Sequence, residues 1–185
     1  MEIYLVFVDT IQNSNKFWSA KIEGSNLTVE WGRVGYKSQT KVHSFSSHSV
    51  AVKKFHNLVT EKKSKGYSES QSQMNGNRHI SDIRRAIQLL NVLRPYVANG
   101  NFDHRYIQAL NEYLQIVPTP LGMQIDPYII YRSVNDVDYQ KELLNSLLTT
   151  STPQPAAVAV AHIPESTVEK VVSLKTISKN FWRHL

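Results

Sequence analysis

Short β-forming segments alternate with turn clusters through residues 1–45, and this alternation restricts the fold more than any other feature. Strands are predicted at Ile3–Asp9, Lys16–Ile22, Leu27–Arg33 and Thr40–Phe45. The clusters Gln12–Asn15 and Glu23–Asn26 are rich in turn-forming residues and separate the first three strands. Connections this short join antiparallel neighbours, because a parallel crossover needs about a dozen residues or more. The sequence therefore predicts a small antiparallel sheet.

One amphipathic helix is predicted directly after the sheet, over Ser46–Lys65. Its apolar residues recur at helical spacing: Ala51, Phe55, Leu58 and Val59. Ser46 or Ser47 is the candidate N-cap, and Gly66 ends the helix. The last turn is rich in lysine, which either the helix dipole or contact with a polyanion would explain. Sheet and helix together indicate an α+β fold.

A polar stretch of low complexity, Ser68–Asn77, is predicted to be a linker to a second, helical part of the chain. The first helix of that part begins near Ile80, and Pro95 is predicted to break it. The domain organisation is then a sheet domain at 1–70, a linker at 71–78, a helical segment at 79–148 and a proline-containing tail at 149–185.

Two further helices are predicted at about Asp103–Ile116 and Asn135–Leu148. The proline-rich connection Val117–Gly122 cannot be helical and is predicted to be rigid. Beyond the third helix, Thr149–Pro155 reads as another linker and Ser166–Asn180 as a further helix candidate.

Composition sets limits on the class of protein. The chain has 185 residues, 41% of them hydrophobic, which is enough for a packed core. Its net charge of +6 lies mainly in residues 1–70, which carry ten basic and six acidic residues. That distribution suits a polyanionic partner. The absence of cysteine excludes disulfides, zinc fingers and cysteine nucleophiles, and it favours an intracellular location. The apolar opening is too short to span a membrane, so no membrane partner is expected.

The tripeptide Trp31-Gly32-Arg33 is the strongest candidate for a binding site. Residues two apart on a strand share a face, so an aromatic plane and a fixed cation would lie together. That pair suits a nucleic-acid end, where an exposed base or sugar lies beside phosphate. The alternative is structural, because a tryptophan next to a glycine in a strand is often part of the core beside a bulge.

The stretch 16–67 resembles the WGR domain, which is named for this tripeptide. The resemblance rests on Phe17-Trp18, Trp31–Gly35, Phe45–Ser47, the helix with Ala51, Phe55 and Leu58, and Lys62–Tyr67, all in the family's order and spacing. In poly(ADP-ribose) polymerases this domain helps detect DNA breaks. The resemblance implies an α+β sheet with one packed helix.

The resemblance also implies roles for individual residues. Trp31 would pack on the sugar of a terminal nucleotide, and Arg33 would contact either nucleic acid or a neighbouring domain. Basic residues of the sheet and helix would hold backbone phosphate: Lys37, Lys41, Lys53 and Lys54. With Gly32, these residues form the expected nucleic-acid-binding site. The expected partner is DNA, at ends, nicks or breaks.

The stretch Tyr113–Met123 resembles part of the helical regulatory domain that follows the WGR domain in the same polymerases. An ordinary helix ending at a proline-rich turn is the alternative. The ADP-ribosyltransferase domain with its His-Tyr-Glu triad has no counterpart here, since roughly sixty residues follow Gly122. We therefore expect a non-catalytic protein with no cofactor. A protein–protein adaptor, or a regulatory subunit of a separately encoded enzyme, is the alternative function.

Other chemistry finds little support in the sequence. The seven histidines lack the spacing of a zinc helix, so no metal site is expected. Acidic residues form no paired cluster of the kind that two-metal nucleases need. Trp18 is expected in the core, because it and Phe17 alternate between faces of the strand. Tyr67 is expected to pack back on the sheet.

Overall fold

The computed structural model describes residues 1–70 and 80–150, with side chains described as far as 148. The described residues belong to one compact unit, Met1–Ser151. The expected helix at Ser166–Asn180 lies outside the described residues, as does most of the expected linker after Thr149. Thr149 and Thr150 themselves are helical, so that part of the linker prediction is wrong.

Within the described residues, five antiparallel strands form one sheet in the order β4-β3-β2-β1-β5. Their bounds are β1 Glu2–Asp9, β2 Ser14–Glu23, β3 Asn26–Arg33, β4 Gln39–Ser44 and β5 Ser68–Glu69. The first four strands confirm the prediction from the sequence. The short β5 does not, because Ser68 was assigned to the linker and instead pairs with Val6 of β1.

Each face of the sheet is covered by a different layer of helix. Leu5, Trp18 and Val29 point to one face and pack with α1, which spans His48–Ser64. Val6 and Val8 alternate to the other face and are buried among residues of the later helices. The sheet therefore lies between α1 and a helical layer. The mixed α+β class predicted from the sequence is confirmed.

The ends of α1 follow ordinary capping chemistry. Ser47 is the N-cap, and its side chain accepts a hydrogen bond from the Val50 N–H. At the other end Gly66 has a φ of 85°, the left-handed conformation that ends many helices. The buried face carries the residues expected from the apolar spacing: Ala51, Phe55 and Val59.

Helix α2 spans Ile80–Asn99 and passes through Pro95, so the predicted break at that residue is wrong. Proline removes the hydrogen bond to the carbonyl four residues earlier, here Asn91. Both Pro95 and Asn91 are exposed, so water can satisfy that carbonyl. Leu93 and Val97 are buried on either side of the proline and hold the helix against the core.

The remaining helices are α3, His104–Ile116, and α4, Val134–Thr150. Asp103 caps α3 by accepting hydrogen bonds from the N–H groups of Arg105 and Tyr106. Tyr106 is fully buried and donates its hydroxyl hydrogen to the Pro127 carbonyl at 2.9 Å. Burial raises the pKa of the Tyr106 hydroxyl, which keeps this donor protonated at physiological pH.

Candidate nucleic-acid interface

Trp31 lies near the end of β3, on the face of the sheet that carries α1. It pairs with Trp18 of β2 on one side and with Gln39 of the edge strand β4 on the other. Trp18 is only 3% exposed, which confirms its expected place in the core. Trp31 is partly exposed and packs against the same cluster at its margin. One part of the Trp31 side chain is therefore accessible to solvent, while the other packs against the core.

Gly32 faces the other side of the sheet and is closely covered. A Cβ added there would lie 3.4 Å from the Phe17 ring and 3.4 Å from the backbone of Lys37 and Ser38. These are ordinary contact distances, and Gly32 does not have a positive φ. The chain after β3 therefore passes over Gly32 and Phe17 at a distance that an alanine Cβ would just fill.

The Arg33 guanidinium binds oxygen atoms of its own chain at the end of the sheet. Its Nε donates to the Gly122 carbonyl at 2.7 Å. Its two terminal nitrogens donate to Asn13, to the backbone oxygen at 3.1 Å and to Oδ1 at 2.9 Å. The family resemblance allowed contact with nucleic acid or with a neighbouring domain. The observed contacts join the sheet to the proline-rich connection before α4.

Asn13 is the centre of this contact and was predicted only as part of a turn. Its φ of 52° is left-handed, a conformation that asparagine tolerates better than most residues. Besides binding Arg33, its Oδ1 accepts the Ile125 N–H at 2.9 Å and its Nδ2 donates to the Met123 carbonyl at 3.0 Å. The two asparagines in the Gln12–Asn15 turn were the available sequence signal.

Further contacts attach the same end of the sheet to the helical part of the chain. Gly35, with a φ of 84°, approaches Pro120 so closely that an added Cβ would lie 2.5 Å from the Pro120 Cβ. Asn15 is buried and donates its Nδ2 hydrogen to the Thr119 carbonyl at 2.8 Å. The Thr10 hydroxyl donates to Asn111 Oδ1 at 2.9 Å. Residues before, within and just after the Trp-Gly-Arg motif thus hold the proline-rich connection, and Thr10 holds α3.

The four expected phosphate-binding lysines are all exposed. Lys41, on β4, lies opposite Val29 of β3. Its side chain therefore shares the α1 face with Trp31. Lys37 lies in the connection between β3 and β4, while Lys53 and Lys54 lie on α1. The ion pairs of described lysines involve other positions: Lys21, Lys63 and Lys65. Trp31 and Lys41 therefore lie on neighbouring strands, on the same face of the sheet.

The lysines at the end of α1 have structural partners. Lys63 pairs with Glu69 at 3.0 Å and Lys65 with Glu61 at 2.6 Å. The hydrogen bond from Lys65 holds the pKa of the Glu61 carboxyl below its usual range. Lys62 lies over the rings of Trp18 and Tyr67, 5.8 Å and 5.5 Å from their centroids. Tyr67 itself packs against the sheet, as predicted.

No group of three or more His, Asp and Glu side chains among the described residues could hold a metal ion. No helix of residues 1–70 or 80–150 is both long and apolar enough to cross a bilayer.

We expect that exchanging Arg33 for lysine lowers the free energy of unfolding by about 1–2 kcal/mol, because a lysine cannot reach three divergent acceptors. Urea unfolding followed by circular dichroism measures this loss. Arg132→Lys is the matched control, since in the described residues only the Arg132 backbone takes part in a hydrogen bond. Equal stability of both variants would show that the Arg33 contacts contribute nothing.

The first part of this chain is an antiparallel sheet with one helix on the face that carries the partly exposed Trp31. An arginine follows two residues further on, and together these features define its class. Residues 1–74 match the family model of the WGR domain. The N-terminal part of the chain is therefore a WGR domain, and the family match does not extend to α2, α3 and α4.

Three sequence relatives each match about a third of the chain. Over 63 residues the chain is 38% identical to protein YehF and 33% identical to the uncharacterized protein YfeS, both from Escherichia coli K12. Each match covers 34% of this chain, and it covers 23% of YehF and 26% of YfeS. The uncharacterized protein y4dW from Sinorhizobium fredii is 31% identical over 70 residues, which cover 35% of this chain and 34% of y4dW.

A solved structure of a Bacteroides fragilis protein is also similar. It is 39% identical in sequence, over 38% of this chain and 20% of the Bacteroides chain, with a TM-score of 0.36. The chain therefore spans only about a quarter to a third of the curated relatives it matches, and a fifth of this structural relative.

Proposed function

We propose that the face around Trp31 binds nucleic acid, with DNA ends, nicks or breaks as the preferred ligand. The observation that carries the proposal is the partly exposed Trp31 beside Lys41, on one face of a WGR domain. An aromatic plane stacks on a terminal sugar or base, and an adjacent ammonium neutralises phosphate. Neither contact reads base sequence, which favours recognition of an end over recognition of a sequence.

The other expected site residues have different parts in this proposal. Lys37, Lys53 and Lys54 are exposed cations that would add electrostatic attraction along the backbone. Gly32 lies beside Phe17 beneath the chain that follows β3, and Arg33 fixes the end of β3 through Asn13 and Gly122. We thus assign Arg33 to positioning Trp31. In this proposal the protein acts inside the cell, without catalysis or a cofactor of its own.

A protein–protein adaptor is the second candidate, and one observation favours it. The stretch between α3 and α4, which Arg33 contacts at Gly122, exposes large apolar side chains: Met123 is 65% exposed, Ile129 54% and Tyr128 49%. Exposed apolar groups clustered in sequence are typical of docking surfaces. In this alternative the helical part would bind a separately encoded DNA-processing or ADP-ribosylating enzyme.

Replacing Trp31 with alanine is expected to weaken binding to a nicked or blunt duplex by about 5- to 150-fold, the loss that corresponds to one stacking contact. Fluorescence anisotropy at fixed salt measures this change with three labelled duplexes: a hairpin-closed one, a nicked one and a blunt one with a 5′ phosphate. Trp31→Phe keeps an aromatic plane and is expected to retain most of the affinity. Tyr36→Ala removes an exposed aromatic outside β3 and should change nothing.

Salt dependence separates the two candidate functions. Lys41→Gln should lower the slope of log affinity against log salt by about one, while Lys21→Gln should leave it unchanged. Lys21 already pairs with Glu23, so it serves as the matched control. Weak binding to all three duplexes that is unchanged by Trp31→Ala would contradict the proposed site and favour the adaptor.

A further inference from the structure

Strand β4 is an edge of the sheet that the described residues form. Its only strand neighbour among the described residues is β3, whereas β5, at the opposite edge, is a pair of residues. The register of β4 with β3 runs without interruption from Asn26–Ser44 to Trp31–Gln39. No bulge or proline interrupts β4, and these are two common devices that protect an edge from pairing.

The backbone groups that β4 leaves free can be assigned from its pairing. The Phe45 N–H donates to the Ser25 carbonyl at 3.0 Å, one position beyond the Asn26–Ser44 pair. In an antiparallel ladder, residues alternate between bonding to the neighbour and pointing away from it. The backbone groups of Gln39, Lys41 and His43 therefore bond to β3. Those that point outward belong to Thr40, Val42 and Ser44.

The side chains of the same outward-bonding residues lie on the face opposite α1. Thr40, Val42 and Ser44 alternate with residues that share the α1 face, and all three are exposed. Val42, in the middle of β4, is apolar and 57% exposed. A hydroxyl residue lies two positions before it and another two positions after it.

We propose that β4 pairs antiparallel with β4 of a second copy of this chain, about a two-fold axis at Val42. In this register the outward groups of Val42 bond to those of Val42 in the second copy, and Thr40 bonds to Ser44. A two-fold interface needs such a self-complementary strand. The apolar side chain then pairs across the axis with its own copy, flanked by hydroxyl pairs.

Charge and strand length select this register over its neighbours. Centring the axis on Lys41 would set two lysines directly opposite each other, which is unfavourable. Centring it on His43 would set Val42 against Ser44 and move Thr40 opposite Ser46, beyond the end of β4. The Val42 register instead sets Lys41 against His43. The pairing leaves the α1 face open and does not depend on the proposed nucleic-acid function.

Cysteine cross-linking in the full chain tests the register, because the natural sequence contains no cysteine. Val42→Cys should form a disulfide-linked dimer under mild oxidation, since directly bonded pairs have Cα atoms about 5.5 Å apart. Thr40→Cys should form no disulfide link between the two copies, because the two copies of residue 40 would be about 14 Å apart. Cross-linking at Lys41→Cys but not at Val42→Cys would overturn the proposed register.

Sedimentation velocity on the full chain at increasing concentration tests the association itself. The parent should pass from its monomer mass of 21.2 kDa towards twice that mass. Val42→Lys should weaken association by at least about tenfold, through like charges at the axis. Val50→Lys, which changes an exposed valine on α1, should not. Circular dichroism checks that both variants are folded.

Either of two results would overturn the proposal. One is a parent that remains monomeric at high concentration together with a Val42→Cys variant that does not cross-link, which would leave the edge for a strand of another protein. The other is a dimer that Val42→Lys leaves intact, which would place the interface elsewhere.

Discussion

Replacing Gly35 with alanine is expected to lower the free energy of unfolding by roughly 2–4 kcal/mol, the sum of a backbone term and a packing term. The backbone term arises because Gly35 has a φ of 84°, where a Cβ is strained. The packing term arises because the new Cβ would lie 2.5 Å from Cβ and 2.7 Å from Cγ of Pro120. Urea unfolding of both proteins gives the difference directly.

Gly24→Ala separates the two terms. Gly24 also has a left-handed φ, 60°, but an added Cβ there would meet nothing within 4 Å. We expect this variant to lose only about 1 kcal/mol, the backbone term alone. Pro120→Gly in the Gly35→Ala background should recover much of the packing term, and a double-mutant cycle measures that coupling. Equal losses for Gly24→Ala and Gly35→Ala would show that the contact with Pro120 is not tight.

The Gly35 contact illustrates what the sequence could and could not predict. The strands, α1 and the N-cap of α1 follow from local patterns, since alternation, helical spacing and capping residues act over a few positions. The freedom of Gly35 to adopt a positive φ was also predictable. Its partner was not, because Pro120 lies 85 positions further along the chain and nothing local links the two residues.

The partners of Arg33 could not be predicted for the same reason. The alternation of a strand indicated a cation beside Trp31, and the side chain instead reaches Gly122 and Asn13 at the end of the sheet. Long side chains bind wherever tertiary structure supplies an acceptor. Pro95 shows the converse error, in which a strong local signal for a helix break is overridden by packing on both sides of it.

The second large effect is expected on β1, where adjacent residues face different layers. Val6 is fully buried, and it packs with the helices although it belongs to the WGR domain by sequence. Val6→Asp should lower the free energy of unfolding by at least about 4 kcal/mol, because it buries a carboxylate without a partner. Val92→Asp, at a 47% exposed valine of α2, is the control and should cost much less.

The way in which Val6→Asp unfolds tests whether sheet and helices form one cooperative unit. In a Trp182→Phe background both remaining tryptophans, Trp18 and Trp31, lie in the sheet, so tryptophan fluorescence reports on the sheet. Circular dichroism at about 222 nm reports mainly on the helices. We expect both signals to shift together to lower urea concentration. If only one of the two signals moved, the sheet and the helices would not unfold as one unit, as the predicted domain boundary near residue 70 implies. A joint shift would mean that the WGR domain needs the helices to bury Val6 and Val8, because the sheet alone would expose them. The contacts of Arg33 and Gly35 would then fix the position of a layer that is already part of the same core.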